Sequence, residues 1–490
     1  MILEALSNPE IWTLVVIGSV AGYMVGILPG LDSVVALALS APVGLYLDAD
    51  VAFYYYAALL GAVTFAGSVP AILFSIPGEP FSVVTTFDGF QMSRQGRAME
   101  ALAISAVGSA LGAFISIGLL LLSLPIASQI VLTFGPGEKF WLVIWAFILV
   151  PFLSGKDPLK GLVSVSLGLV LSFVGRSVVT GEFRYTFGAD HLASGLGTVQ
   201  FLAIGVFALR VILEMISEPE RPVAVSKIKV DRHQMLKGIT HVLRRPGSVA
   251  RSSLIGTGIG AIPGLGPVTA SFLSYLAARG ASKSPETFGQ GNPEGVLAPE
   301  AANNAVQGGS GVTTLLLGIP GSLDWAILLG IMVMYGITPG PDLIRESPHV
   351  VVGIIGGIVA GNAIASTVGL LAGTQLARLT GIRPLYVTPV IFATCMAGAF
   401  LLHNIVWDCM IALIGGVLGY FIHKLNYELL PFGLGFILGP FIETNFYQGL
   451  QVGLGTYSMF YGSSMSIGLI ILSAATFAIG PWLRRRVMRG

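Results

Sequence analysis

The sequence predicts an all-α polytopic membrane protein with two related halves, and three observations predict it. Only 10% of the 490 residues are charged and 54% are hydrophobic, against roughly 25% charged in ordinary globular domains, so the chain cannot cover a surface of this size with charge. Apolar stretches long enough to cross a ~30 Å hydrocarbon core, about 20 residues each, recur from end to end. Glycine and proline, meanwhile, cluster at corresponding points of the two halves rather than scattering evenly.

The clearest apolar stretches are 98–123, 159–174, 196–216, 350–371, 385–402 and 405–422. With the less regular ones they amount to roughly ten to fourteen membrane segments. The net charge of +1 gives no reason to expect nucleic acid or a polyanionic surface as partner. Cys395 and Cys409 fall in or beside membrane segments, without metal-ligand spacing or a disulfide framework, and read as packing residues. The N-terminus has neither a basic n-region nor a small-residue cleavage site, so the segment from Ile11 reads as retained structure, not a signal peptide.

The halves are related by two ordered matches. Gly22-Tyr-Met-Val-Gly26-Ile-Leu-Pro29-Gly30-Leu31 aligns with Gly256-Thr-Gly-Ile-Gly260-Ala-Ile-Pro263-Gly264-Leu265. Further on, Gly67 to Pro77-Gly78 aligns with Ser310 to Pro320-Gly321. One Gly/Pro match is noise, whereas two in the same order signal a repeat. The expected division is a first half at 1–216, a basic linker at 217–251 and a second half at 252–490.

Charge bias gives each half an orientation. The linker carries Arg221, Lys227, Lys229, Arg232, Lys237, Arg244, Arg245 and Arg251 against three acids, and the chain ends Arg484-Arg485-Arg486 and Arg489. Both regions read as cytoplasmic, and the first ten residues, with Glu4 and Glu10 and no base, read as external. The repeats then have inverted topology, the plan of many secondary transporters. A duplicated bundle without transport is the bland alternative. Against it stands the place of the repeated residues, because Pro-Gly inside an apolar stretch breaks the helix. Backbone groups freed in this way are tolerated at membrane depth only in protein or along a wet cavity. Broken helices, as re-entrant hairpins in corresponding places of two halves, point to a substrate site.

At these residues the chain resembles the large membrane subunit of the tripartite tricarboxylate transporters. The resemblance is carried by Gly260 to Pro267, by Phe288-Gly-Gln-Gly-Asn-Pro-Glu294 running on to Pro299-Glu300-Ala-Ala-Asn303-Asn304, and by Leu317 to Ser322 and Gly336 to Pro341. Gly26 to Leu31, Ile76-Pro77-Gly78, Asp88 to Arg97 and Arg184 to Gly188 fit the same pattern. One departure, Pro293 before Glu294, reads as a small loop change. The resemblance implies a bacterial inner-membrane protein and two partners: a small four-helix membrane subunit and a periplasmic solute-binding protein. It also implies small carboxylate substrates, such as citrate, other di- and tricarboxylates or aromatic acids, with uptake driven by an ion gradient rather than by ATP.

The residues themselves agree with that expectation. No Gly-x-x-x-x-Gly-Lys-Ser/Thr occurs, and Gly155-Lys156 is followed by Asp157, so no P-loop is present. A trivalent anion entering against 100 mV meets roughly 7 kcal/mol, which symport of Na⁺ or H⁺ offsets. No base lies within the Pro-Gly motifs. Substrate is therefore expected at broken-helix N-termini around Pro29, Gly30, Pro77, Gly78, Pro263, Gly264, Pro320 and Gly321. Ser33, Thr269, Asn303, Asn304, Ser310 and Thr313 offer further hydrogen bonds, and their bland use is interhelical contact. A candidate Na⁺ site lies near Gly30, Asp32, Gly264 and Asn303, with Asp32 as ion ligand or proton carrier; its alternative role is a helix N-cap. Glu79, Asp88, Glu294, Glu300 and Asp324 read as loop or cap residues, and His403, Asn404 and Asp408 as a polar turn. No cofactor is expected, nor any enzymatic activity. The Gly308-Gly309-Ser310-Gly311 pattern fits an intramembrane serine protease, but His349 and His403 flank apolar spans and do not interrupt them. A self-sufficient carboxylate symporter is the nearer alternative.

Overall fold

The computed structural model describes residues 7–28, 30–131, 133–154, 157–217, 231–337, 340, 343–376 and 384–487. The described chain is almost entirely helical, with one two-stranded hairpin pairing Gly175–Arg176 and Phe183–Arg184. In the first half, α1 (Pro9–Gly26) starts from an Asn8 cap with Pro9 in its first turn, a position where proline gives up no helical hydrogen bond. After the first break come α2 (Ser33–Ser40), α3 (Ala49–Ala66) and α4 (Ser68–Phe74). A second break and a 3-10 turn (Pro80–Ser82) lead to α5 (Val83–Arg94), α6 (Ala98–Val131), α7 (Pro136–Ser154) and α8 (Pro158–Ser172). The span α9 (Gly197–Ser217) is π-helical as far as Leu209.

The second half follows α10 (Arg232–Leu243). It comprises α11 (Pro246–Gly260), α12 (Gly266–Gly280), α13 (Pro293–Leu317), α14 (Leu323–Met334), the short α15 (Leu343–Glu346) and α16 (Pro348–Leu376). The chain closes with α17 (Pro384–His403), α18 (Val406–Lys424), α19 (Leu429–Val452), α20 (Ser458–Tyr461) and α21 (Ser464–Val487). Pro293 is not a loop residue: Asn292 caps α13 and Pro293 occupies its first turn. The turn at 403–408 is as expected, with Asn404 left-handed and His403 Nδ1 2.7 Å from Asp408 Oδ2.

Among the described residues, eight helices are long and apolar enough to cross a membrane, and four shorter ones are apolar. The six stretches read from the sequence lie in α6, α8, α9, α16, α17 and α18. The deeply buried α13 belongs to neither group. Almost all of α13 is buried, including Glu300, Asn303, Asn304 and Gln307, and the Glu300 and Gln307 side chains are matched by other parts of the protein.

The two halves repeat the same contacts. Gly26 packs on Val63 and Gly260 on Val306, so that an added methyl would fall 2.8 Å from Val63 O and 2.9 Å from Val306 Cα. Val63 and Val306 each stand four residues before the aligned Gly67 and Ser310. The second Pro-Gly closes on the first helix in both halves, with Gly78 against Gly26 and Gly67, and Gly321 against Gly260 and Ser310. The third helix is exchanged: Gly361 of α16 packs on Ala58 of α3, and Gly112 of α6 on Ala301 of α13. Each central helix is thus sandwiched between its own half's first helix and one from the other half. The largest hydrophobic core accordingly draws on both halves, from Leu31 through Trp325 to Ile437.

Candidate functional site at the helix breaks

Four breaks interrupt the two central helix sets. The first lies between Gly26 and Ser33, with Gly30 at φ +83°; Pro29 falls outside the described residues. The second runs from left-handed Ser75 through half-buried Pro77 to buried Gly78, whose N–H donates to Gly67 O at 3.0 Å. The third contains buried Pro263 and Gly264, at φ +89°. The fourth contains Gly318, Pro320 and Gly321, and the Gly264 N–H donates to Gly321 O at 3.3 Å. The elements leaving the breaks cross between halves: α2 packs on α14, and α12 packs on the 3-10 turn 80–82.

Three carboxylates follow three of the breaks. Asp32 comes two residues after Gly30, Glu79 one after Gly78 and Asp324 three after Gly321; the counterpart of Asp32 is Gly266. Asp32 caps α2, accepting from Val35 N at 2.9 Å. Buried Ser33 donates to Glu79 Oε2 at 3.4 Å, while Glu79 Oε1 is buried without a hydrogen-bond partner. Asp32 and Asp324 both act electrostatically on Glu79, and Arg210, itself 2.9 Å from Glu214, acts on Asp32. Asp324 accepts from Ser322, from Trp325 N at 3.0 Å and from Gln307 Nε2 at 3.0 Å. Gln307 also reaches Thr64 Oγ1 at 3.5 Å and accepts from Trp325 Nε1 at 2.7 Å. Gln307 and Thr64 occupy aligned positions, three residues before Ser310 and Gly67, so related residues of the two halves touch.

One turn earlier on α13, Asn304 Nδ2 donates to Asn303 Oδ1 at 2.6 Å and to Glu300 O at 3.3 Å. Asn303 Nδ2 and Asn304 Oδ1 are buried and unpartnered. Ser310 spends its hydroxyl on Gly260 O at 3.2 Å, and Thr313 on Ser310 O at 3.2 Å. Thr269 is half-buried in the first turn of α12, with no side-chain partner among the described residues. Gly30 faces Met215 of α9, whereas Gly264 lies against Val150 of α7. Among the described residues no three His, Cys, Asp or Glu side chains gather as a metal-binding group.

The sequence reading of Glu300 and Asp88 as loop or cap residues needs correction, whereas Glu79 does stand at a cap, that of the 3-10 turn 80–82. Glu300 is neither in a loop nor at a cap: it is fully buried mid-helix. Its Oε1 accepts from Ser68 at 2.7 Å and from Thr85, and its Oε2 from Ser105 at 2.8 Å and Ser109 at 2.9 Å. Those donors sit on α4, α5 and α6, so one carboxylate of the second half is held by four hydroxyls of the first. Asp88 lies within α5, not in a loop, and gathers the N–H groups of Gly289, Gly291 and Asn292 at 2.7–3.0 Å, with Tyr275 Oη at 2.9 Å. Glu79 and Asp324 are buried at the breaks, and Glu294 is buried in the first turn of α13. The legible signal was the short spacing of each carboxylate behind a Pro-Gly; the hydroxyl partners of Glu300 left none.

Comparison with known proteins gives a consistent picture. The description of the tripartite tricarboxylate transporter TctA family matches residues 13–434. An uncharacterized 52.8 kDa protein in the TAR-I ttuC' 3' region of Agrobacterium vitis is 34% identical over 418 residues, covering 85% of this chain and 82% of that protein. An uncharacterized protein in the TAR-II ttuC' 3' region of the same organism is 38% identical over 178 residues, covering 36% of this chain and 73% of that protein. No solved structure matches the chain.

Proposed function

The chain belongs to the tripartite tricarboxylate transporter TctA family, and from that premise we propose that it imports small carboxylates by cation symport. In this reading it is the large transmembrane subunit, working with a small four-helix membrane subunit and a periplasmic solute-binding protein. It sits in the bacterial inner membrane with its N-terminus outside and its C-terminus in the cytoplasm. The observation that carries the reading is the crossing of the elements behind four helix breaks, with Asp32, Glu79 and Asp324 behind three of them. Ionisable residues at membrane depth are expensive and mark ion pathways.

The asymmetry between the halves divides the work. The N-terminus of α2 is closed by Asp32, whereas α12 begins at Gly266 with no side-chain cap. An uncapped N-terminus carries free N–H donors and about half a positive charge, which suits an anion. Ala270 of α12 packs with Ala302 and Val306, so this end of α12 lies beside the Asn303-Asn304 turn and its unpartnered amides. The carboxylate substrate binds there. The cation, Na⁺ or H⁺, binds at Asp32, Glu79 and Asp324, where Glu79 Oε1 lacks a partner. The exchange of α6 and α16 between the halves supports an inverted repeat, with the breaks meeting near mid-membrane.

The test is uptake of a labelled tricarboxylate into proteoliposomes containing all three components, with Na⁺ and H⁺ gradients imposed separately. Asp32→Asn and Glu79→Gln should change the ion dependence. Asn303→Ala and Asn304→Ala should weaken apparent substrate affinity roughly ten- to hundredfold, the loss of one or two hydrogen bonds to a charged group. Uptake indifferent to both gradients would overturn the symport reading. Equal uptake with and without the binding protein would favour a self-sufficient symporter.

A further inference from the structure

A cavity of about 950 Å³ opens where α10, α11 and the α12–α13 connection meet the loop after α5. Its lining includes Arg97, His241, Arg245, Arg251, Lys283 and Glu294. Three of these five basic residues have partners. Arg97 pairs with Glu100 at 2.9 Å, and Arg245 and His241 lie 3.2 and 3.3 Å from Glu294. Arg251 and Lys283 form no ion pair among the described residues, and Arg251 Nε is buried without a hydrogen-bond partner. A guanidinium with a desolvated, unmatched N–H is costly, and its planar fork fits a carboxylate through two parallel bonds. The lining therefore holds two unmatched positive charges around a space ample for a small polyvalent anion.

Position links this space to the breaks. Arg251 lies nine residues before Gly260 on α11, and Glu294 nine before Asn303 on α13. At 1.5 Å per residue the cavity lies about 13 Å from the third break along α11 and from the Asn303-Asn304 turn along α13, close to half of a ~30 Å hydrocarbon core. We propose that this cavity is a second anion site, a vestibule in which Arg251 and Lys283 hold a di- or tricarboxylate between the breaks and the water. The proposal rests on the reading of the chain as a carboxylate carrier and adds a station to the route. A phospholipid phosphate shares the ligand chemistry, since basic pockets on the cytoplasmic side also bind lipid head groups.

The experiment uses the full chain in detergent, with Ser284→Cys at the cavity rim as reporter and labelling of the parent chain as the background for Cys395 and Cys409. The rate of labelling by a charged thiol reagent is measured against citrate, and separately against cardiolipin in mixed micelles. Citrate at ten times its Kd should slow labelling about tenfold, because roughly nine-tenths of the sites are then occupied. Arg251→Gln combined with Lys283→Gln should abolish that protection, and Arg251→Lys should retain part of it. Protection by cardiolipin alone makes the cavity a lipid site and overturns the proposal. So does citrate protection that survives in the double variant, or no protection at all. The readout needs neither gradient nor partner. An absence of protection in the parent chain with intact uptake therefore defeats the vestibule alone, and intact protection with no uptake counts against the carrier reading.

Discussion

Replacing Glu300 measures how firmly the two halves are joined. Four hydroxyls on three helices of the first half converge on this one buried side chain of the second. At the average of about 0.6 kcal/mol for polar contacts in a membrane protein, four bonds amount to about 2.4 kcal/mol. At the charge-assisted value of roughly 1.5–3 kcal/mol each, they amount to about 6–12 kcal/mol. Glu300→Ala removes both acceptor oxygens and all four bonds, but the outcomes for the donors differ. Ser105 and Ser109 lie inside α6 and can turn back to the carbonyl one helical turn earlier, as Ser19 and Ser253 already do. Ser68 begins α4 just after the Gly67 kink and keeps only its 3.3 Å contact with Ser82 Oγ, and Thr85 lies in the first turn of α5, so neither has a regular preceding turn to fall back on. One weakened and one stranded hydroxyl, at no more than about 1–3 kcal/mol each, bring the expected loss to about 2–5 kcal/mol. Glu300→Gln keeps two acceptor bonds, and its amide can donate to the other two hydroxyls once they rotate. It also removes a buried charge, so it should cost less than about 1.5 kcal/mol. Thermal unfolding in detergent should place Glu300→Ala roughly 4–10 °C below the parent, with Glu300→Gln close to it. An alanine variant melting with the parent, or a glutamine variant worse than alanine, would refute the idea that these hydroxyls hold the halves together.

Two other substitutions separate folding from function. Gly30 and Gly264 both need positive φ, so alanine strains each by about 1–2 kcal/mol. At Gly264 the new methyl would also fall 2.8–3.0 Å from Val150, whereas at Gly30 the nearest atom, Met215 Cε, is 3.4 Å away. Gly264→Ala should thus lose yield of folded protein as well as uptake. Gly30→Ala should insert at near-normal yield, making its uptake a clean measure of how closely the coupling cation approaches that backbone; near-normal uptake in Gly30→Ala would show that the first break only turns the chain. Asp88→Ala leaves three loop N–H groups without their acceptor, and amide exchange at Gly289, Gly291 and Asn292 should quicken at least about tenfold, the equivalent of 1.4 kcal/mol. Unchanged exchange there would mean that Asp88 does not hold the loop.

How much of this was legible in the sequence follows from where each polar group finds its partner. The long apolar helices were readable because hydropathy alone sets their length, and the 98–123 and 350–371 stretches fall within α6 and α16. The repeat was readable because close backbone approach leaves little choice of residue: Gly26 and Gly260 each admit a valine backbone where a side chain would collide. The helix α13 was not readable as a deeply buried element, since Glu294, Glu300, Asn303, Asn304 and Gln307 make it look amphiphilic or loop-like. Its polarity is matched from far along the chain, Glu300 by hydroxyls about two hundred residues earlier and Gln307 by Thr64. Asp88 is the mirror case, a first-half carboxylate satisfied by second-half backbone. A hydropathy rule prices each segment as though it met lipid alone. It fails wherever the opposite half supplies the hydrogen bonds, and here those failures mark the seam. The same reasoning sets Glu79 Oε1 and the Asn303-Asn304 amides apart. They are as deeply buried as Glu300 but leave acceptor and donor atoms unmatched, so the protein's own packing does not account for them as it does for Glu300. On the proposed function, the partners of these groups are the cation and the carboxylate that arrive from outside the chain.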